Sequence, residues 1–262
     1  MLYAGKTLQI SATLKNSQGA VITGKTVSWS SNAGSVASVS DGAVSATAFG
    51  SAIITASVDG ASATATVNVL HDPIVFMHGF GASGSVFNST VDKFKADGWT
   101  DSPLVTWTYD SNQSNAAIAQ LLATKIDSLL AATGAKKVDI IAHSMGGLSS
   151  RYYTKNLGGA DKVDAFVALA TPNHGTTVAN ICPIISCVEM RPGSAFLAAL
   201  NADDETPGSP RYATWWTPCD QTTTPPESTI LSGAVNTQTA CIGHSDFHND
   251  AVVYAQVRDW VR

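Results

Sequence analysis

Charge is scarce in this sequence: Asp, Glu, Lys and Arg make up 13% of the 262 residues, and the net charge is −5. No basic surface for nucleic acid is implied, and a polyanionic partner is not expected. Long apolar runs are also missing. No stretch of about eighteen uninterrupted apolar residues occurs, so no transmembrane segment is expected. The start, Met1-Leu2-Tyr3, lacks the charged lead and apolar core of a signal peptide. Cys-x-x-Cys spacing is absent and the histidines form no zinc-type grouping, which argues against a structural metal. What is present is an apolar fraction of 44%, ample for a real core, in a chain long enough for one large or two ordinary domains.

The four cysteines fall as Cys182/Cys187 and Cys219/Cys241, which reads as two disulfides. Disulfides, low charge and abundant Ser, Thr, Ala and Gly suit a secreted protein whose signal peptide is not part of this chain, Met1 then being a cloning start.

Two regions differ in rhythm. From Thr7 to Val69 apolar and polar residues alternate: Leu8, Ile10, Ala12, Leu14, then Val27 and Trp29, then Ile54, Ala56, Val58, and Ala63, Ala65, Val67, Val69. Period two means strands, and turn signals at Gln18-Gly19, Asn32-Ala33-Gly34, Asp41-Gly42 and Asp59-Gly60 are spaced as in a small antiparallel sandwich. The runs Val27–Asn32, Ser35–Ser40 and Ile53–Ala56 resemble bacterial Ig-like modules. That resemblance implies a β-sandwich over residues 1–70, acting as a stabilising appendage or as a contact to a surface or polymer.

Beyond a boundary near Leu70 to Asp72, apolar runs alternate with helical patterns, the signature of a parallel α/β sheet over residues 71–262. Strands are expected at Ile74–Met77, Leu104–Tyr109, Val138–Ala142, Ala165–Ala170 and Thr229–Ala234. A helix is expected over about Asn115–Ala132, with Ile118, Leu121, Leu122, Ile126, Leu129 and Leu130 at helical spacing, and a last helix over about Asp250–Val261.

The chemistry centres on Ala142-His143-Ser144-Met145-Gly146-Gly147, directly after an apolar strand. A serine on a sharp strand-to-helix turn between small residues is a nucleophile elbow, here with alanine where the first glycine is usual. Acyl transfer also needs a base, an acid that orients it and backbone donors for the oxyanion. Of the histidines after Ser144, His174 comes too early to leave room for an acid-bearing strand. His244 lies on a loop before the last helix, and His248 sits where a capping or surface role fits. Asp203, Asp204, Glu205, Asp220 and Glu227 all fall between Ser144 and His244. A Cys219–Cys241 bridge would tie the loop of Asp220 to that of His244, which favours Asp220. The oxyanion donors are expected to be the backbone N–H groups of Met145 and of Phe80, in the turn His78-Gly79-Phe80-Gly81. His78 and His143 read as framework.

His78-Gly79-Phe80-Gly81, Thr133–Ile140, Ala142–Gly147, Tyr152–Leu157, Gly243-His244 and the Tyr254–Arg258 helix together resemble the small secreted bacterial lipases of the minimal α/β-hydrolase type. The resemblance implies a carboxylic ester hydrolase, foremost a triacylglycerol lipase acting on ester or lipid at an interface, with Ser144, Asp220 and His244 as triad, Phe80 and Met145 as oxyanion donors, and no metal or organic cofactor. A short-chain ester or polyester hydrolase is the alternative, and an inert adhesion protein the remote one. The segment 171–211 is longer than in minimal members. Its stapled Ile181–Val188 loop, with Trp215, Trp216 and Phe80, is expected to border the acyl pocket.

Overall fold

The computed structural model describes residues 1–262. It divides into two compact units, the first holding Met1–Asp72 with Gly134–Lys136 and the second the remainder.

The first unit is all-β, with β1 (Leu2–Tyr3), β2 (Thr7–Gln9), β3 (Ser28–Ser31), β4 (Ala37–Ser40), β5 (Ala43–Ala46), β6 (Gly50–Val58) and β7 (Ala61–Leu70). One sheet has the order β1-β7-β6-β3, the other β2-β5-β4. Asp41-Gly42 and Asp59-Gly60 join β4 to β5 and β6 to β7, both residues of each pair having positive φ, as a hairpin turn matched to strand twist requires. Alternation buries Ala52 and Ile54 of β6 and Val67 and Val69 of β7 with Ala37, Val44 and Ala46. The alternation at Leu8, Ile10, Ala12 and Leu14 does not give one strand: β2 stops at Gln9. Further on, the Asn16 side chain accepts the Gln18 and Ala20 N–H groups at 3.0 and 2.9 Å, and this local turn competes with sheet pairing.

The second unit is built on six parallel strands in the order β13-β12-β11-β10-β8-β9: β8 (Ile74–Met77), β9 (Leu104–Trp107), β10 (Val138–His143), β11 (Val163–Leu169), β12 (Arg211–Trp216) and β13 (Val235–Gln238). Its helices are α1 (Asn88–Ala96), α2 (Asn115–Thr133), α3 (Met145–Asn156), α4 (Ile185–Met190), α5 (Ala195–Asn201) and α6 (Ala251–Trp260). Strand residues divide between two cores, as the two-residue side-chain period demands. Val75, Met77, Ile140 and Ala142 pack with Ile118 and Leu122 of α2 and Leu148 of α3. Ile74, Phe76 and Ile141 pack with Phe94 of α1 and Val253 and Val257 of α6.

Two sequence expectations shift. Thr229–Ala234 is not a strand: a 3₁₀ turn ends at Thr229, Leu231 plugs the core, and the edge strand follows at Val235. Arg211–Trp216 supplies a strand that the sequence reading did not place. Helix α2 has the length and hydropathy of a membrane span, yet its Ile118, Leu122 and Ile126 are buried against the sheet. Leu121, counted above in its apolar series, is 45% exposed. Ile118→Ala is therefore expected to cost about 2–5 kcal/mol by urea denaturation and Leu121→Ala about 0.5 kcal/mol or less. Equal effects would show that the buried face of α2 is misassigned.

Candidate active site

Strand β10 is central, with β8 and β11 as neighbours, so its C-terminal end opens between two strand exits. There the chain turns through Ser144 at φ 54°, ψ −131° and enters α3 at Met145. A left-handed serine is strained by about 1–3 kcal/mol and persists only where the surroundings over-determine it. They do so here. Ser144 N–H donates to Leu169 O at 2.8 Å, locking the turn to β11. On the other side α3 rides against the exit of β8: a Cβ on Gly146 would stand 2.5 Å from His78 O and 2.7 Å from Met77 O.

His244 and Asp220 come together from separate loops. His244 Nδ1–H donates to Asp220 Oδ2 at 2.8 Å, which leaves Nε2 with the lone pair a base needs. The other carboxylate oxygen accepts the Thr222 and Thr223 N–H groups, each at 2.8 Å, so the buried Asp220 is fixed in rotation. The Cys219–Cys241 disulfide bridges the two loops beside this pair, with Cα atoms 5.2 Å apart. The His244 loop has a further anchor absent from the sequence reading: His143 Nε2–H donates to the His244 carbonyl at 2.8 Å. No spacing rule in the sequence signals that contact.

Ser144 and His244 both line a cavity of about 660 Å³. Phe80 and Val86 face it from the segment after β8, and Val178, Ala179, Ile181, Met190 and the Cys182–Cys187 disulfide from the extra segment. Trp215 and Trp216, expected at this pocket, belong to β12 and do not line it; Trp215 is buried and donates to Gln256 Oε1 at 2.8 Å. In the turn after β8, Gly81 N–H donates to Ser111 Oγ at 2.9 Å and Ala82 N–H to Gly79 O at 3.3 Å, while Phe80 N–H enters neither bond. Met145 opens α3, where the helix dipole is positive.

The other acidic candidates lie elsewhere. Glu205 pairs with His174, Oε1 to Nε2 at 2.8 Å, and Asp204 caps the local turn at Thr206. Asp203 and Glu227 are exposed. His248 is not a surface or capping residue: it is buried, lines the cavity and donates Nδ1–H to Ser245 O at 2.9 Å, while Asp250 caps α6. Its ring meets that of His143 at 4.2 Å. Burial lowers the pKa of His248 and of His78, and pushes that of His143 well down, with His248 and His244 adding to the effect at His143.

The profile of the family described as lipase (class 2) matches residues 71–252, well over half of the chain. The chain belongs to the class 2 lipase family. Among solved structures, this chain is similar to Aspergillus fumigatus lipase B, with a TM-score of 0.64 at 18% identity over 72% of this chain and 52% of that one. It is also similar to mature Bacillus licheniformis lipase BlEst2, at 0.62 and 16% over 73% and 92% of the two chains. Paleococcus ferrophilus monoacylglycerol lipase gives 0.55 at 12% identity over 73% and 96%. At these identities the likeness speaks to fold alone, an α/β hydrolase. The chain spans about half the length of the Aspergillus protein.

Replacing Ser144 by glycine relieves the left-handed strain, so Ser144→Gly is expected to raise the thermal midpoint, by about 1 kcal/mol in stability. A fall in the midpoint would mean that the elbow is not strained. Stability should also depend on the neutral His78, His143 and His248. Their folded pKa values lie below the ordinary histidine value of 6.5, so on acidification the unfolded chain binds protons before the folded one. This contribution is complete above pH 6.5 and declines as pH falls below it towards the lowered values. Replacing His143 by Gln should flatten the slope of urea-derived stability below that pH; an unchanged slope would count against burial as the cause.

Proposed function

We propose that this class 2 lipase hydrolyses carboxylic esters, foremost triacylglycerols, through an acyl-enzyme on Ser144. The observation that carries the reading is the His244–Asp220 hydrogen bond at 2.8 Å, which sets the imidazole tautomer in the same cavity as a serine on a left-handed elbow. His244 Nε2 takes the Ser144 hydroxyl proton as Oγ attacks the ester carbonyl, and Asp220 stabilises the imidazolium that forms. Phe80 and Met145 N–H groups receive the oxyanion. His244 then returns the proton to the leaving alcohol, and a water activated by the same imidazole releases the acid. No metal or organic cofactor enters this scheme.

The second reading keeps this chemistry and makes the substrate a short-chain ester or polyester. The stapled wall favours it, since a segment held by Cys182–Cys187 is a fixed border to the cavity. The two disulfides and the family support secretion. The two-sheet first unit, with its Asp-Gly hairpins, supports an Ig-like module serving as appendage or as contact to a surface or polymer.

A fluorophosphonate probe is expected to label Ser144 and no residue of a Ser144→Ala variant. Asp220→Asn should lower kcat on a soluble ester by roughly 10³–10⁴-fold with little change in KM, and Asp204→Asn by far less. An unlabelled Ser144 would leave the inert adhesion reading standing, and a silent Asp220→Asn would remove the acid assignment. Rates on emulsified long-chain triglyceride, soluble short-chain ester and polyester film separate the two substrate readings.

A further inference from the structure

The two walls of the cavity grow from opposite faces of the sheet. Ala179, Cys187 and Met190 line it and are also buried members of the core packed under α2 and α3. Val86, Ser245, His248 and Asn249 line it from the side of α1 and α6. There Phe247 is buried, Phe87 meets the His248 ring edge-on at 4.9 Å, and Thr90 Oγ1 donates to His248 O at 2.7 Å. Ser144 stands at the seam, at the end of the strand whose Ala142 faces the first core and Ile141 the second.

Given the acyl-enzyme reading above, on which this step rests, the two halves of the ester are distinguishable. The leaving oxygen must receive its proton from His244, so the alcohol half belongs beside the base loop, on the wall of Val86 and Asn249. The acyl half is left with the other wall. That wall carries no formal charge from Thr176 to Val188. Exposure differs sharply along it: Met190 is 6% exposed, whereas Ile181 is 90% exposed. The wall is also tied down. Arg191 donates to Cys182 O at 2.8 Å and to Ala179 O at 3.3 Å, Ser186 Oγ to Ser111 O at 2.7 Å, and the Glu189 carboxylate accepts Asn115 N–H at 2.6 Å.

We infer that the acyl chain lies along the Ala179–Met190 wall and that the Met190 side chain is the stop that sets its length. A chain ending short of Met190 is sheltered throughout. A longer one must bend out past Val178 and Ile181, leaving methylenes against water, and the pinned wall cannot move aside to accept it.

The p-nitrophenyl esters of butanoic, octanoic and dodecanoic acids share one alcohol, so ratios of kcat/KM among them report the acyl wall. In Met190→Ala the dodecanoate-to-butanoate ratio is expected to rise roughly tenfold. In Ala179→Leu, which adds bulk to the same wall from another segment, it is expected to fall by about as much. Val86→Phe, on the opposite wall, should leave that ratio in place and change discrimination among butanoates of different alcohols. Labelling of Ser144 by a small fluorophosphonate marks each variant as folded and competent. If Met190→Ala loses labelling, Met190→Leu and Ala179→Leu carry the test. Labelled variants with an unmoved ratio overturn the role of Met190, and a ratio moved only by Val86→Phe puts the acyl chain on the other wall. A wild-type protein that neither labels nor turns over any ester sinks ester hydrolysis itself, a distinct result.

Discussion

The second unit is organised around one backbone constraint, the positive-φ turn at Ser144. A serine holds φ 54° together with ψ −131° only where its surroundings over-determine it, and each clamp specifies a neighbour. The Leu169 carbonyl must lie beside the turn, which fixes β11 against β10. The first turn of α3 must lie on the β8 exit, which leaves no room for a side chain at Gly146. Ala142 satisfies the same demand from the strand side, being fully buried against the core. The strain therefore sits where three strands and one helix all oppose its release.

Asp220 and His244, proposed as acid and base, are positioned by a different means. Neither Asp220 nor His244 lies within a strand or helix; they are carried on loops after β12 and β13. Loops of this kind are mobile by default, and here three covalent or polar constraints replace secondary structure. The Cys219–Cys241 bridge joins the loops, the Thr222 and Thr223 amides orient the carboxylate, and His143 holds the backbone of His244. His143 thus links Ser144 and His244: it is the last residue of the strand that presents one and the hydrogen-bond donor to the loop that presents the other.

These differences explain what could be read from the residues. Buried parallel strands such as Ile74–Met77 announce themselves as apolar runs, and the helix Asn115–Thr133 by its spacing, because both periodicities report burial directly. The edge strand Val235–Gln238 is three parts exposed and carries Asn, Thr and Gln, so no pattern marks it. In Arg211–Trp216 the two tryptophans suggested a ligand surface, whereas Trp215 is buried in the core packed against α1 and α6 and Trp216 is half-buried away from the cavity. The elbow was legible because its geometry demands small residues at fixed offsets. The contact from His143 to His244 spans 101 positions and obeys no local rule; only the fold supplies it. His248 misled because Asn249 and Asp250 beside it look like a cap, and Asp250 alone performs that task.

The rooting of the two cavity walls in separate cores has a consequence for how this site can change over generations. Substitutions that reshape Ala179–Met190 are transmitted to α2 and α3, and those near Val86 and His248 to α1 and α6, with the rigid sheet between them. Sites without shared packing partners combine nearly additively in free energy. On the ester reading proposed above, selection on one half of the substrate can then proceed without undoing what was gained on the other, and a single scaffold can reach many pairings of acid and alcohol by short mutational paths.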